Sequence, residues 1–387
     1  MNVVVIGAGV LGVTIAVELA RRGAGVTVVE KDWPGAGTSS TSYAWVNSHN
    51  KEPSSYYELN LAGLQAHRQL AASVESCNWL ETRGHVEFAT DDSHRQDLIR
   101  RIGRLRDRGY EVEHIDVERA HTLIPDLLIP DDCDTVAYFP SEGHCYPNLY
   151  LAHMLEQASS LGVEIRTGLA VESLKERNGA ALVGLSDGST IVADRVVSAV
   201  GRWTSEVALM AGASLSMAEF ESPGDITVGY LAVTNPLPAS LPRILTSPWL
   251  NVRPDGGGRL LLQALDLDRT ADPDDVPTPD SVVAKELTAR LQAVLKNTEG
   301  AVIERISVGR RAIPADGLSV LGALPSAPWL YVVATHSGVT LAPFVGAGVA
   351  GEIFGHTEAL FDDFRPERLL GAAQFTRPSA PRKPGEQ

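Results

Sequence analysis

The strongest constraint on this chain lies in its first thirty residues, where two apolar runs flank a glycine-rich turn. Residues 2–6 (Asn-Val-Val-Val-Ile) are β-branched and show no polar alternation, so they predict a strand buried on both faces of a parallel sheet. Gly7-Ala8-Gly9-Val10-Leu11-Gly12 follows, and residues 13–22 then read as a helix that Gly23 ends. Residues 25–30 repeat the strand pattern and finish on Glu30. A β-α-β unit with G-x-G-x-x-G in its first turn is built to receive a dinucleotide pyrophosphate. Gly7 permits the tight turn, Gly9 lets the backbone approach the phosphates, and Gly12 lets helix and strand pack closely. The free N–H groups at the helix N-terminus then face the anion. Glu30, about 18 residues past Gly12, is placed to accept hydrogen bonds from a ribose diol and to repel a 2′-phosphate. The competing reading is a glycine turn in an α/β protein with no nucleotide. The fingerprint alone does not separate NAD from FAD.

Charge excludes another class of function. The 387 residues carry 33 Lys+Arg against 48 Asp+Glu, a formal net charge of −15. A general polyanion binder needs basic surface, so nucleic acid is not expected as a partner. The length suits about two domains. Cys77, Cys133 and Cys145 have no C-x-x-C spacing, so neither a disulfide framework nor a metal site is expected, and a reduced, cytoplasmic compartment fits best. Residues 3–17 are almost uninterrupted apolar sequence. No Lys or Arg precedes them, no small-residue cleavage site closes them, and Glu18 interrupts them, so neither a leader nor a membrane span is expected.

Beyond residue 30 the simple β-α-β rhythm stops. Apolar recurrence predicts helices over 55–76, 93–108, 148–161 and 281–296, and a last one over about 341–354. Strands are expected over 169–174, 180–185, 190–193, 195–200, 225–233, 259–265 and 329–335. Residues 271–280 form an acidic, proline-rich loop, and residues 371–387 read as a disordered tail.

Three further blocks carry a family resemblance: Gly37-Thr-Ser-Ser-Thr-Ser-Tyr-Ala-Trp-Val-Asn47, Gly309-Arg-Arg-Ala-Ile-Pro-Ala-Asp-Gly-Leu-Ser-Val-Leu-Gly322, and Tyr331-Val-Val-Ala-Thr-His-Ser-Gly-Val-Thr-Leu-Ala-Pro343. With the N-terminal fingerprint they resemble the D-amino-acid oxidase superfamily, nearest its glycine oxidase, sarcosine oxidase and D-amino-acid dehydrogenase branch. Weaker matches lie at Gly162-Val-Glu-Ile with Val171, and at Ser198-Ala-Val-Gly-Arg-Trp203. The resemblance implies an α/β protein: a discontinuous Rossmann-like FAD-binding domain (1–50, 141–215, 301–370) and an antiparallel-sheet α+β substrate domain (51–140, 216–300). It implies FAD, non-covalently bound, with Gly7, Gly9, Val10, Leu11 and Gly12 at the pyrophosphate and Glu30 with Lys31 at the adenosine end. Ser39, Ser40 and Thr41 would reach phosphate or ribityl oxygens, Val171 the adenine, and Gly201 with Trp203 the pyrophosphate region. Gly338, Val339, Thr340 and Leu341 would bring a helix N-terminus to the flavin, where it stabilises negative charge near N1. His336 either positions the flavin or is satisfied by backbone groups.

Arg311 is the leading substrate residue, because an arginine matching it in the relatives forks onto the substrate carboxylate. Arg310 beside it then belongs to the scaffold. Alternation over Trp249-Leu-Asn-Val-Arg-Pro254 puts Trp249, Asn251 and Arg253 on one face. Asn251 and Arg253 join the candidate set, although relatives often carry tyrosine near Asn251. Tyr43, Trp45 and His49 are candidate pocket walls. The implied reaction takes hydride from the carbon next to the nitrogen of a small amino acid or secondary amine (glycine, N-methylglycine or a D-amino acid), with oxygen or another acceptor reoxidising the flavin. Some relatives use a lysine near the flavin to help oxygen react, but none of the six lysines here falls in 249–265. The alternatives are a 2-hydroxy-acid dehydrogenase and a flavin-binding module without catalysis.

Overall fold

The computed structural model describes residues 1–130, 132–371, 375 and 378–382. Its first sheet has six strands, centred on Asn2–Ile6. Gly25–Val29 and Arg195–Ser198 pair with this strand in parallel on either side. Glu164–Arg166 and Ala327–Ala334 continue the parallel order outward, and Val320–Leu324 closes one edge antiparallel. Side chains alternate faces along a strand. Val3 and Val5 therefore join one apolar cluster, and Val4 and Ile6 join another. Both faces are covered, which explains the unbroken apolar run.

Helices Val10–Arg21, Ser54–Ala72, Pro147–Ser160 and Gly338–Ile353 pack on one face. The other face carries a three-stranded antiparallel sheet (Val171–Arg177, Ala180–Leu185, Thr190–Ala193) and helix Thr204–Met210. The second large sheet has eight strands, in the order Ile303–Arg310, Val228–Thr234, Leu260–Gln263, Asn251–Pro254, Ile244–Thr246, His85–Ala89, Thr135–Phe139, Glu113–Ile115. All its pairs are antiparallel except Ile244–Thr246 with His85–Ala89. Helices Val282–Val294 and Asp92–Asp107 bury their apolar stripes against it. Among the described residues no helix is long and apolar enough to cross a membrane.

Three features differ from the sequence expectations. Helix Ser54–Ala72 packs against Gly338–Ile353 and so joins the first layer, while strand Ile303–Arg310 pairs into the second sheet. Trp249 lies outside strand Asn251–Pro254 and is exposed. The last helix begins at Gly338 although it contains Pro343. Proline has no N–H to give the carbonyl four residues back, which here is Val339. His67 replaces that donor: its Nε2 lies 2.6 Å from the Val339 oxygen. A carbonyl only accepts, so the His67 proton sits on Nε2, and burial lowers this histidine to about 4. Of the proline-rich tail, Phe375 packs on the apolar cluster that holds Val4 and Ile6, and Arg382 donates to the Gly224 carbonyl. The rest of the expected disordered segment lies partly outside the described residues.

Candidate active site

A long cavity runs along the ends of the central strands. Gly7, Gly9, Val10, Leu11, Glu30, Lys31, Ser39, Val171, Gly201, Trp203, His336, Gly338 and Val339 all line it. The backbone makes its floor. Gly7 has φ +99°, and a Cβ there would lie 2.7 Å from the Ala199 oxygen. A Cβ on Gly12 would lie 1.9 Å from the Gly7 oxygen, so the helix cannot approach with any side chain at that position. The first intrahelical bond is Val13 N–H to the Gly9 carbonyl, and Val10 N–H donates to Ser39 Oγ (3.1 Å). The Leu11 and Gly12 amides and the positive end of the helix dipole are thus left for an anion. Glu30 accepts hydrogen bonds from Ala8 N–H (2.8 Å) and Asp32 N–H (3.0 Å), which holds the carboxylate at the cavity edge. Lys31 Nζ lies 3.6 Å from the Trp203 ring centroid. Gly12, Ser40 and Leu341 do not line the cavity. Gly12 is covered by the turn, the Ser40 hydroxyl donates to the Gly37 carbonyl, and Leu341 is in the core.

A second cavity meets the first at Thr38, Ser42, His336 and Val339. Thr41 and Thr340 line it, as do Tyr43 and Trp45. Arg311 reaches it immediately after strand Ile303–Arg310, anchored by its N–H to the Thr227 carbonyl (2.6 Å). Its guanidinium donates to the Ile226 carbonyl (2.9 Å) and to Asp268 Oδ2 (3.0 Å). Asp268 Oδ1 accepts the Tyr230 N–H at 2.8 Å, so both carboxylate oxygens have donors. Burial raises the Asp268 pKa against the pull of Arg311. Gly229 makes room for this pair, because a Cβ there would sit 2.2 Å from Arg311 Nη2 and 2.5 Å from Asp268 Oδ2.

His336 stands between the two cavities. It lines both, and desolvation, with Lys51 and Arg311 adding, lowers it to about 3. Its ring has no hydrogen-bond partner among the described residues, so it is not a histidine satisfied by backbone groups.

The remaining candidates are not brought to this cavity. Arg253 is fully buried, with Nε donating to the Tyr43 carbonyl (2.7 Å) and Nη1 to the Pro254 carbonyl (2.6 Å) and Asp255 (3.1 Å). These donors serve the scaffold rather than a ligand. Asn251 accepts from Thr246 Oγ1 (3.0 Å) and donates to Gln263 Oε1 (3.2 Å). Gln263, its cross-strand neighbour, is the side chain that reaches the cavity. His49 lies behind the wall and bonds Glu142 at 2.6 Å. The same carboxylate accepts from Tyr110 (2.8 Å) and Trp45 Nε1 (3.0 Å), and His85 Nδ1 lies 3.2 Å away. Burial raises Glu142, but His49 and His85 outweigh it and hold the group down at about 2.

His49, His85 and Glu87 bring one ligating atom each within 4.8 Å. Thr246 gives its own proton to Asn251, so His85 Nε2 (3.0 Å from Thr246 Oγ1) must donate. His85 Nδ1 lies 3.2 Å from Glu142 Oε2, so these side chains form one buried polar cluster behind the cavity wall. Sequence reading overlooked Gln263, Tyr230 and above all Lys51, a buried lysine on the cavity wall. Nothing local marked it: Asn50 and Glu52 flank it in a polar stretch that reads as a solvated loop.

This fold, with its glycine turn, the Glu30 carboxylate at the cavity edge and the adjoining arginine-bearing cavity, is that of a flavin-dependent oxidoreductase. The chain belongs to the FAD dependent oxidoreductase family, whose model matches residues 2–351. It is 25% identical to the glycine oxidase of Geobacillus kaustophilus (strain HTA426) over 370 residues, covering 93% of this chain and 94% of that protein. The solved glycine oxidase from Geobacillus kaustophilus superposes with a TM-score of 0.83 at 24% identity, over 95% of this chain and 99% of that one. L-proline dehydrogenase from P. horikoshii shares the fold at TM-score 0.80 and 21% identity, over 95% and 97% of the two chains.

Proposed function

We propose that this protein oxidises a small amine that carries a carboxylate, of the glycine, N-methylglycine or D-amino-acid type, to the imine. The observation that carries the reading is Arg311, whose guanidinium lines the cavity adjoining the FAD site. FAD, when bound, accepts the hydride that leaves the carbon next to nitrogen. The chain's task is positioning. Arg311 offers its fork to the substrate carboxylate, Asp268 holds that fork in place, and Gln263 offers an amide to the same cavity. Thr38, Ser39 and the two helix N-termini would hold the cofactor. No cysteine lines either cavity among the described residues, which supports non-covalent FAD. Oxygen or another acceptor completes the cycle.

The experiment is flavin bleaching by glycine, N-methylglycine, D-alanine and L-lactate, with peroxide followed in air. Bleaching by an amine is expected in the wild type. Arg311→Ala is expected to keep its FAD and lose at least about 100-fold in kcat/KM, equivalent to about 2.7 kcal/mol. Bleaching by the hydroxy acid alone, or by none of the four, overturns the reading.

A further inference from the structure

We propose that Lys51 is a catalytic residue of this cavity: its Nζ takes the proton from the substrate ammonium, so that the amine reacts in its free-base form. The inference rests on the amine-oxidising reading above and names the group that prepares the substrate.

Three observations carry it. Lys51 lies on the wall of the cavity that also holds Arg311 and His336, with almost no surface open to solvent. Its ammonium has no carboxylate within ion-pair distance among the described residues, and its Nζ lies 5.8 Å from the Tyr56 ring centroid. Glu142, the acidic group near it, already accepts from His49, Tyr110 and Trp45 and faces His85.

The charges facing the cavity then decide the matter. Arg311 is matched by Asp268, and His336 is neutral. With the substrate carboxylate held by Arg311, a charged Lys51 would stand beside the bound substrate's own ammonium, and Glu142 offsets that charge only in part. Two neighbouring cations repel, which favours the loss of one proton. Burial has already biased which: it lowers Lys51 to about 7, only partly offset by Glu142. A neutral Lys51 has the lone pair to accept. In the step, an N–H bond of the substrate ammonium breaks and an Nζ–H bond forms. The electron pair of the broken bond stays on the substrate nitrogen, and nothing is oxidised or reduced. That lone pair is what the later loss of hydride from the neighbouring carbon requires.

The sign of the pH dependence follows. Lys51 accepts a proton only when neutral, so kcat/KM should rise as pH increases through about 7. The test uses the FAD-loaded enzyme, anaerobically, with whichever of glycine, N-methylglycine or D-alanine bleaches the wild type. Lys51→Met and Lys51→Arg, both checked for wild-type FAD content, should lose roughly 100-fold in the rate of bleaching at pH 7. In both, the rising limb should move up to the pKa of the substrate's own amine. Arginine keeps the charge but does not give up its proton, so a purely electrostatic role would be rescued by Lys51→Arg. A second readout needs no turnover. Among ¹³C-methylated lysines of the holoenzyme, only six in number, the resonance absent from Lys51→Arg should titrate near 7. Three results would overturn the proposal: rescue by arginine, an unmoved pH limb in Lys51→Met, or a loss confined to reoxidation by oxygen. Absence of bleaching by every amine in the wild type is a separate result, which sinks the proposed function itself.

Discussion

The two cavities that meet at His336 are made of different materials. The cofactor cavity has a backbone floor. Its turn, its first helix N-terminus and the close packing there come from glycines a few residues apart in one β-α-β unit, and Gly338 brings a second helix N-terminus from the far end of the chain. The substrate cavity is side chain: Arg311, Asp268, Gln263, Tyr230 and Lys51 arrive from segments scattered between residues 51 and 311. The first tolerates almost no change at a few positions and much change elsewhere. The second can alter its chemistry one residue at a time on an unchanged frame, because loops and strand ends project different groups into the same space.

The largest effect should come from the backbone side. Gly12→Ala adds one methyl that must overlap the Gly7 carbonyl. The helix then has to move off the strand, at a cost of about 3 kcal/mol or more. Protein with little or no flavin absorbance and a lowered melting temperature is expected. A yellow, stable Gly12→Ala would break the contrast between the two cavities.

A smaller, separable effect is expected from Gly229→Ala. Its Cβ collides with Arg311 and Asp268 but lies away from the cofactor cavity. FAD content should stay at the wild-type level while KM for a carboxylate-bearing amine rises about tenfold or more, which steady-state kinetics would show. Loss of FAD without a change in KM would mean that the two cavities are not energetically distinct.

The smallest expected effect is at Glu30, where side chain meets the backbone site. Glu30→Gln keeps the shape but offers one acceptor oxygen where Ala8 and Asp32 now use two. The loss of about 1 kcal/mol corresponds to roughly five- to tenfold weaker FAD binding, measured by titrating apoprotein and following flavin fluorescence.

The same contrast explains what was legible. Glycine spacing and buried strands are local, so the turn at Gly7, the β-α-β unit that joins Asn2–Ile6 to Gly25–Val29 and the place of Glu30 at its end could be anticipated, while Val171 came through family resemblance. Arg311 was visible only through family resemblance, and its partner Asp268, 43 residues away, was not visible at all. Arg253 and Asn251 misled because alternation places residues on a face without saying what covers that face. The carbonyl of Tyr43 closes over Arg253, and Gln263 stands in front of Asn251. The last helix was placed too late because Pro343 argues against a helix that includes Val339. His67, from a helix nearly 300 residues earlier, supplies the missing donor (separation 272).

By itself, the sequence determined the β-α-β unit, its glycine turn and the acidic residue that ends the second strand, because each depends on backbone dihedrals and hydrogen bonds a few residues apart. Only the tertiary structure decided which cations face the second cavity. Burial and pairing turn Arg253 into scaffold, match Arg311 with Asp268 and leave Lys51 without a partner carboxylate, and those outcomes depend on which distant segments share one enclosed space of low dielectric.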